Sequence, residues 1–368
     1  MKDIFWEYYP LSKDELAHIW ENGIFVFDTN ILLNLYRYSD ETAKEFIETI
    51  QLLEDKVWLP YQVAQEFHKN RLDVISNEVK SYDSLLKKIT EIQEEIIVKN
   101  RNPFVSKQLM ESFLEFQDNL ISECDEAKGK YKKTFSDEDL TLLNLNLIFK
   151  DKIGEKFNEE KMTSLIREGE QRYKLDIPPG YKDKTKPVPE KFGDLIIWHQ
   201  IIEKSITDKK PIVFIIDDRK EDWWYINSGE TISPRVELLR EFKEKTQQSC
   251  HFYKPFQFLE YSGHFLGKKI KLDTLKEVDT LFNDLNQENE GKTIELVVKY
   301  LMSNTDVIRF VDLIKISGYN CNFKETEFNV IQILIIFPNI PDIERRFKDK
   351  YLSLLENYNL ELIEYKKL

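Results

Sequence analysis

The chain has 368 residues, 41% of them hydrophobic, with 24 Phe, 17 Tyr and 6 Trp, enough to bury a substantial core and to divide into more than one unit. Its formal charge of -13 excludes a molecule coated in basic surface, so any nucleic-acid site must be a local groove lined by some of the 53 Lys and Arg. No window approaches a membrane-spanning apolar run and the first residues lack a signal-peptide core, so the expected location is cytoplasmic, with no membrane partner.

Ser12 with Glu15 has capping-box form and predicts a helix from residue 13 to Asn22, stopping near Gly23. Ile24-Phe25-Val26-Phe27 reads as a strand buried on both faces, ended by Asp28, with Thr29 or Asn30 capping the helix that follows. A second strand, Val57-Trp58-Leu59, meets Pro60. The long helix after it carries apolar residues at Val63, Phe67, Val74, Ile75, Val79, Tyr82, Leu86, Ile89, Ile92 and Ile96. Asn102-Pro103 breaks it, and Leu109, Phe113, Phe116, Leu120, Cys124, Ala127 and Tyr131 continue the spacing on a returning helix. The expectation is a projecting helical hairpin, with charges of alternating sign and a stripe suited to a structural arm or a homodimer contact.

Shorter helices are expected over 137–175, then an exposed basic loop, IPPGYKDKTKPVPEKFG, over 177–193. Asp194 opens an apolar helix, Pro211–Ile216 is a third buried strand ending at Asp217-Asp218, and His251-Phe252-Tyr253 is a fourth, after a helix beginning near Pro234. The polar run 283–292 suggests a linker. The last eighty or so residues suggest two helical patterns, the strand-like 328–337, a Pro341-led helix and a segment at 360–365, together a small α/β module without a catalytic constellation. The three cysteines have no C-x-x-C spacing and the five histidines are scattered, which argues against zinc.

Two buried strands therefore end in aspartate, and two helices bring acids near their starts, Glu66 and Asp194. At the carboxyl edge of a parallel sheet these positions can meet. Gathered carboxylates repel, and a hard cation resolves the repulsion: one or two Mg²⁺ or Mn²⁺ ions, able to activate water and stabilise the leaving oxygen of a phosphodiester. For each acid taken singly a plainer reading stands beside this one: Asp28 as a helix cap, Glu66 as a solvated residue, Asp194 as dipole compensation, Asp222 as a surface charge before Trp223.

Val26-Phe27-Asp28-Thr29-Asn30, Glu66 in VAQEFHKNR, Asp194 in FGDLIIW and Asp217-Asp218 in VFIIDDRKEDWW resemble, in order, the acidic motifs of PIN-like nucleases over roughly residues 3–265. The resemblance implies a three-layer α/β/α domain with a central parallel sheet, similar to that of flap endonucleases, and a metal-dependent endonuclease that acts most often on RNA. It implies metal ligation by Asp28, Glu66, Asp194 and Asp218, with Asp217 as the competing acid of the last strand, and it suggests a bacterial toxin or anti-phage effector. The sequence departs from the pattern in three ways: Glu66 lies far from Asp194 because of the hairpin, Ile216 stands where a Thr is common, and the C-terminal module lies outside the resemblance.

The expected organisation is thus a nuclease domain over 1–265 with an insertion over about 72–175, a linker over 266–292 and a module over 293–368. Candidate nucleic-acid contacts are Asn30, Lys69, Arg71, Lys182, Lys184, Lys186, Lys191 and Arg219, with Asn34 a further polar group near the site. Ion pairs and solvated lysines are the plainer readings of the basic residues. Tyr36, Tyr38, Trp223, Trp224 and Tyr225 could stack on bases, though core packing is the better expectation for at least half of them. Competing assignments are an inactive nucleic-acid-binding or scaffold subunit using the hairpin and module, with a regulatory protein partner, and an aspartyl-phosphate phosphatase with Asp28 as nucleophile.

Overall fold

Apolar continuity and capping chemistry set the first elements. In the computed structural model, which describes residues 1–2, 4–97, 105–135, 139–227, 230–290, 293–300, 304–316, 320–327, 330–336 and 354–367, Ser12 and Glu15 form the capping box of helix α1, Lys13–Asn22. Strand β1, Ile24–Phe27, is fully buried, with Phe25, Val26 and Phe27 all at 0% exposure, so both faces of the sheet are covered there. Helix α2 is Thr29–Asn34, α3 is Asp40–Gln51, and β2 is Val57–Trp58. Leu59, expected to prolong β2, makes instead an isolated parallel bridge to Ile153.

Helix α4 runs unbroken over Tyr61–Ile97 and packs on α5, Lys107–Thr134, with Gln117 Nε2 donating to Gln93 Oε1 at 2.8 Å. These are the two arms of the expected hairpin; the break assigned to Asn102-Pro103 lies outside the described residues. Helices α6, Leu140–Ile148, and α7, Glu159–Lys174, follow, then the loop, then α8, Gly193–Asp208. Strand β3 is Ile212–Ile215, β4 and β5 are Trp224–Asn227 and Glu230–Pro234, α9 is Val236–Thr246, β6 is Cys250–Tyr253 and α10 is Pro255–Phe265.

The central sheet has the order β2-β1-β3-β6, and every neighbouring pair is parallel. The class expected from sequence, α/β with a central parallel sheet and long helices, is the class observed. The antiparallel β4–β5 hairpin was not foreseen, because its exposed partner strand carries too few apolar residues to alternate.

The stretch expected to be a linker is largely helix α11, Leu272–Glu290, whose first turns are built into the unit that holds the parallel sheet: Glu277 accepts hydrogen bonds from Ser39 N at 2.5 Å, Ser39 Oγ at 2.8 Å and Thr42 Oγ1 at 2.7 Å, at the start of α3. Low apolar content does not preclude a helix whose polar side chains cap a neighbour. The chain divides into two units, Met1–Asp279 and Thr280–Leu368.

The second unit contains β7, Thr293–Tyr300, helix α12, Asn304–Ile316, β8, Asn320–Glu327, β9, Val330–Ile336, and β10, Leu360–Lys367. They form an antiparallel sheet in the order β10-β7-β9-β8, around a core that includes Leu296, Val298, Phe310, Ile314, Ile333 and Ile335. Strands β9 and β10 match the expected segments. Strands β7 and β8 were not foreseen: β8 carries few apolar residues, while β7, rich in β-branched residues, is fixed by pairing with both β9 and β10. The Pro341-led helix lies outside the described residues.

Candidate active site

Strands β1 and β3 lie side by side in register, Phe27 opposite Ile215, so the chain leaves both at one sheet edge. Asp28 N donates to Ile215 O at 2.9 Å, which fixes Asp28 beside the start of the Ile216-Asp217-Asp218 turn. Asp28 stands at the N-cap position of α2, yet its side chain makes no capping hydrogen bond. Burial raises its carboxyl well above the carboxylate range, and the charges of Asp194, Glu66 and Asp218 raise it further, with the Thr29 amide pulling slightly the other way. Four acids from β1, α4, α8 and the end of β3 therefore share one electrostatic environment.

Glu66 is held by two donors: Thr29 Oγ1 gives a hydrogen bond to Oε2 at 2.8 Å and Gln62 Nε2 one to Oε1 at 2.8 Å. Its approach to α8 depends on Gly193, where an added Cβ would lie 2.6 Å from Glu66 Oε1. Next to it, Asp194 receives Trp223 Nε1 at 3.3 Å. Burial lifts the Asp194 carboxyl to about 7, with Lys220 opposing and Asp218, Asp183 and Asp222 adding to the rise. Gly180, at φ 87, lets the basic loop pass close to Asp194 Cβ and the Tyr173 hydroxyl.

Asp218 is gripped by Lys220, whose amide donates to Oδ1 at 2.7 Å and whose ammonium lies 3.0 Å from Oδ2. The same ammonium is 3.4 Å from Asp183 Oδ1. Burial works against its charge, but Asp194, Asp218 and Asp183 more than offset that and keep it protonated. Asp222 is not the surface charge it resembled in sequence: it is 0% exposed, accepts from Lys182 N at 2.9 Å, and is raised to about 6 chiefly by burial.

Asp217 points elsewhere. Its Oδ2 accepts from Asn34 Nδ2, Asn34 Oδ1 accepts from Arg37 Nη1 at 2.7 Å, and Arg37 Nε lies 3.8 Å from Glu78 of α4. Strand alternation persists one turn beyond β3, so Asp217 and Asp218 part company. Asp217, named from sequence as a further metal ligand, is thus joined to Asn34 rather than to the acids around Asp28. Asn34 is buried with it, whereas Asn30 is exposed and donates to Asp217 O at 3.4 Å.

The basic residues named from sequence are engaged with acids. Lys69 meets Glu190 at 2.5 Å, Lys182 meets Glu221 at 2.6 Å, Lys184 meets Asp176 at 3.3 Å, Lys186 meets Asp183 at 2.7 Å and Lys191 meets Glu170 at 2.6 Å. Arg71 pairs with buried Asp139, which also takes the Tyr36 hydroxyl at 2.9 Å, so it supports the base of α4 instead of lining a groove. Arg219 is half-buried, near enough to Lys254 to disfavour that lysine's charge. Of the candidate stacking aromatics, Tyr36, Tyr38, Trp223 and Trp224 are buried, and Tyr225 alone is exposed, at 52%.

Among the described residues no group of three or more His, Cys, Asp or Glu converges as a ready coordination sphere. The donor set nonetheless suits a hard cation: it is all oxygen, Asp28 has no capping duty, and its neighbours repel it. Mg²⁺ is commonly held by one or two carboxylates and water, so a convergent triad is not required. Sequence reasoning missed Thr29 as a donor, Gln62, Asp183 and Lys220, and it included Gly193 only as part of the Gly-Asp motif, not for the room it gives Glu66. Gln62 could have been found, one helical turn before Glu66, but the others become visible only when loop and strand ends are brought together.

No curated protein and no solved structure matches the chain significantly. A family model described as a PIN like domain matches residues 24–238, a span that contains Asp28, Glu66, Asp194 and Asp218. That span is more than half of the chain and opens and closes around the strand-end acids, and the chain belongs to the PIN-like domain family.

Proposed function

We propose that the chain is a metal-dependent endonuclease that hydrolyses phosphodiester bonds, with RNA as the favoured substrate. One observation carries the reading: Asp28, at the end of β1, is left uncapped amid the charges of Glu66, Asp194 and Asp218, which come from three other elements. Membership of a family whose domains are usually nucleases supports the same chemistry.

In this reading the four carboxylates hold Mg²⁺ or Mn²⁺. The bound cation would stabilise charge on the phosphate and lower the pKa of the attacking water. Glu66 is pre-oriented by Thr29 and Gln62, and Asp218 by Lys220. Asp194, raised toward neutrality in the metal-free centre, would be returned to its charged form by the bound cation, which makes it a ligand. The loop lysines would exchange their carboxylate partners for backbone phosphates, since exposed ion pairs contribute little and re-form at low cost.

The protein should cut a mixed RNA and DNA pool in Mn²⁺, faster on RNA, and stop with chelator. Asp28→Asn should lower the rate by about 100-fold or more while the fold persists. Unchanged cleavage by that variant would defeat the assignment. A toxin or anti-phage role rests on the resemblance alone and predicts growth arrest on induced expression, relieved by Asp28→Asn.

A further inference from the structure

Lys220 enters the acidic centre from the turn that carries Asp218. Its amide and ammonium take both oxygens of Asp218, at 2.7 Å and 3.0 Å, and the ammonium also reaches Asp183 at 3.4 Å. Asp194 lies within its field, and Asp222, 0% exposed, has one oxygen on Lys182 N and one, Oδ1, without a hydrogen-bond partner among the described residues. Two-ion phosphodiesterase sites place their cations about 4 Å apart, with carboxylates free to serve both. Asp218 has each oxygen bonded to Lys220, so a positive charge already sits against this carboxylate where a second cation would otherwise balance it.

We propose that Lys220 is a built-in cation standing in for a second divalent ion, so that the centre takes up one Mg²⁺ or Mn²⁺ per chain. The inference rests on the metal-binding reading above and adds to it the ion count and the residue that sets it. Being tethered two residues from Asp218, the lysine supplies its charge whatever the metal concentration. It balances charge on Asp183 and Asp218, so Asp28, Glu66, Asp194 and Asp218 together need only one mobile ion.

Full-length protein titrated with Mn²⁺ alone, by calorimetry and by electron paramagnetic resonance of free Mn²⁺, should bind one ion. Lys220→Met should take up a second, and Lys220→Arg, which keeps the charge, should remain at one. Two ions in the wild type, or a single ion in Lys220→Met, overturns the proposal and leaves the metal reading standing. No ion in either protein overturns the metal reading itself. If Lys220→Met loses the wild-type circular dichroism, the wild-type count decides: one ion sustains the inference and two end it.

Discussion

Asp28 combines a helix-cap position with a carboxylate that caps nothing, and its energetics can be checked without nuclease assays. Asp28, Asp194 and Asp222 all have carboxyls raised by burial, the last two to about 7 and about 6. Between their unfolded values near 4 and these folded values the native state binds more protons than the unfolded chain, so metal-free stability falls as pH rises from about 4 to 7. Thermal melts at pH 5 and pH 8 should show that decline, and Mn²⁺ should reverse it at pH 8. Asp28→Asn should raise the metal-free melting temperature at pH 8, by about 2–4 °C for each kcal/mol of repulsion removed. Thr29→Val, which removes a donor from Glu66, should weaken Mn²⁺ binding by about 10–100-fold with little loss of stability. The four acids were legible in sequence because each closes or opens an element. Asp222 and Lys220 were not: beside Trp223 and among charges they look solvated, and only the return of the 177–193 loop over them buries the first and occupies the second.

Helices α7, α8 and α9 meet at the carboxylate of Glu241. Arg172 gives Glu241 two hydrogen bonds at 2.8 and 2.9 Å and Glu168 a third at 3.1 Å, while Trp198 Nε1 donates to Glu241 at 2.9 Å. His199 and Arg172 hold Glu168 at about 2, and Arg172 holds Glu241 at about 2 against the cost of burial. With folded values depressed, this contribution is complete above the unfolded value near 4.5 and is lost as pH falls toward about 2. Arg172→Ala, leaving the part-buried Glu241 with only Lys245 and Trp198, should destabilise the unit by about 1–3 kcal/mol in urea melts. At this scale β1 and β3 could be read off because uninterrupted apolar runs admit few alternatives, and α1 because its cap is explicit. Strands β4, β5, β7 and β8 could not: β7 has its partners, β9 and β10, far along the chain, whereas β4–β5 and β8–β9 are local pairs in which β5 and β8 carry too few apolar residues to alternate.

For the molecule as a whole, net charge and ion pairing together shape nucleic-acid binding. The candidate loop lysines start paired with acids, so fewer counterions are released per contact than for free lysines. The slope of log affinity against log salt should therefore be shallower than about -0.7 per lysine engaged on single strands, measurable by filter binding. A homodimer through the hairpin remains a proposal, supported by exposed Leu109 and Phe116 on α5 at 59% and 57%; light scattering with and without residues 75–131 should show halving of mass if it holds. The polar run 283–292, expected from its composition to be a linker, is helical through Glu290 as the end of α11, whose earlier turn is secured to the start of α3 by Glu277. Helix α4 carries a different implication. Glu66 and Ile97 lie on one uninterrupted rod, about 46 Å apart at 1.5 Å per residue. A partner gripping its far end would have mechanical leverage on a carboxylate of the acidic centre, and under the proposed metal-binding role, tilting the insertion would change how Glu66 meets the ion.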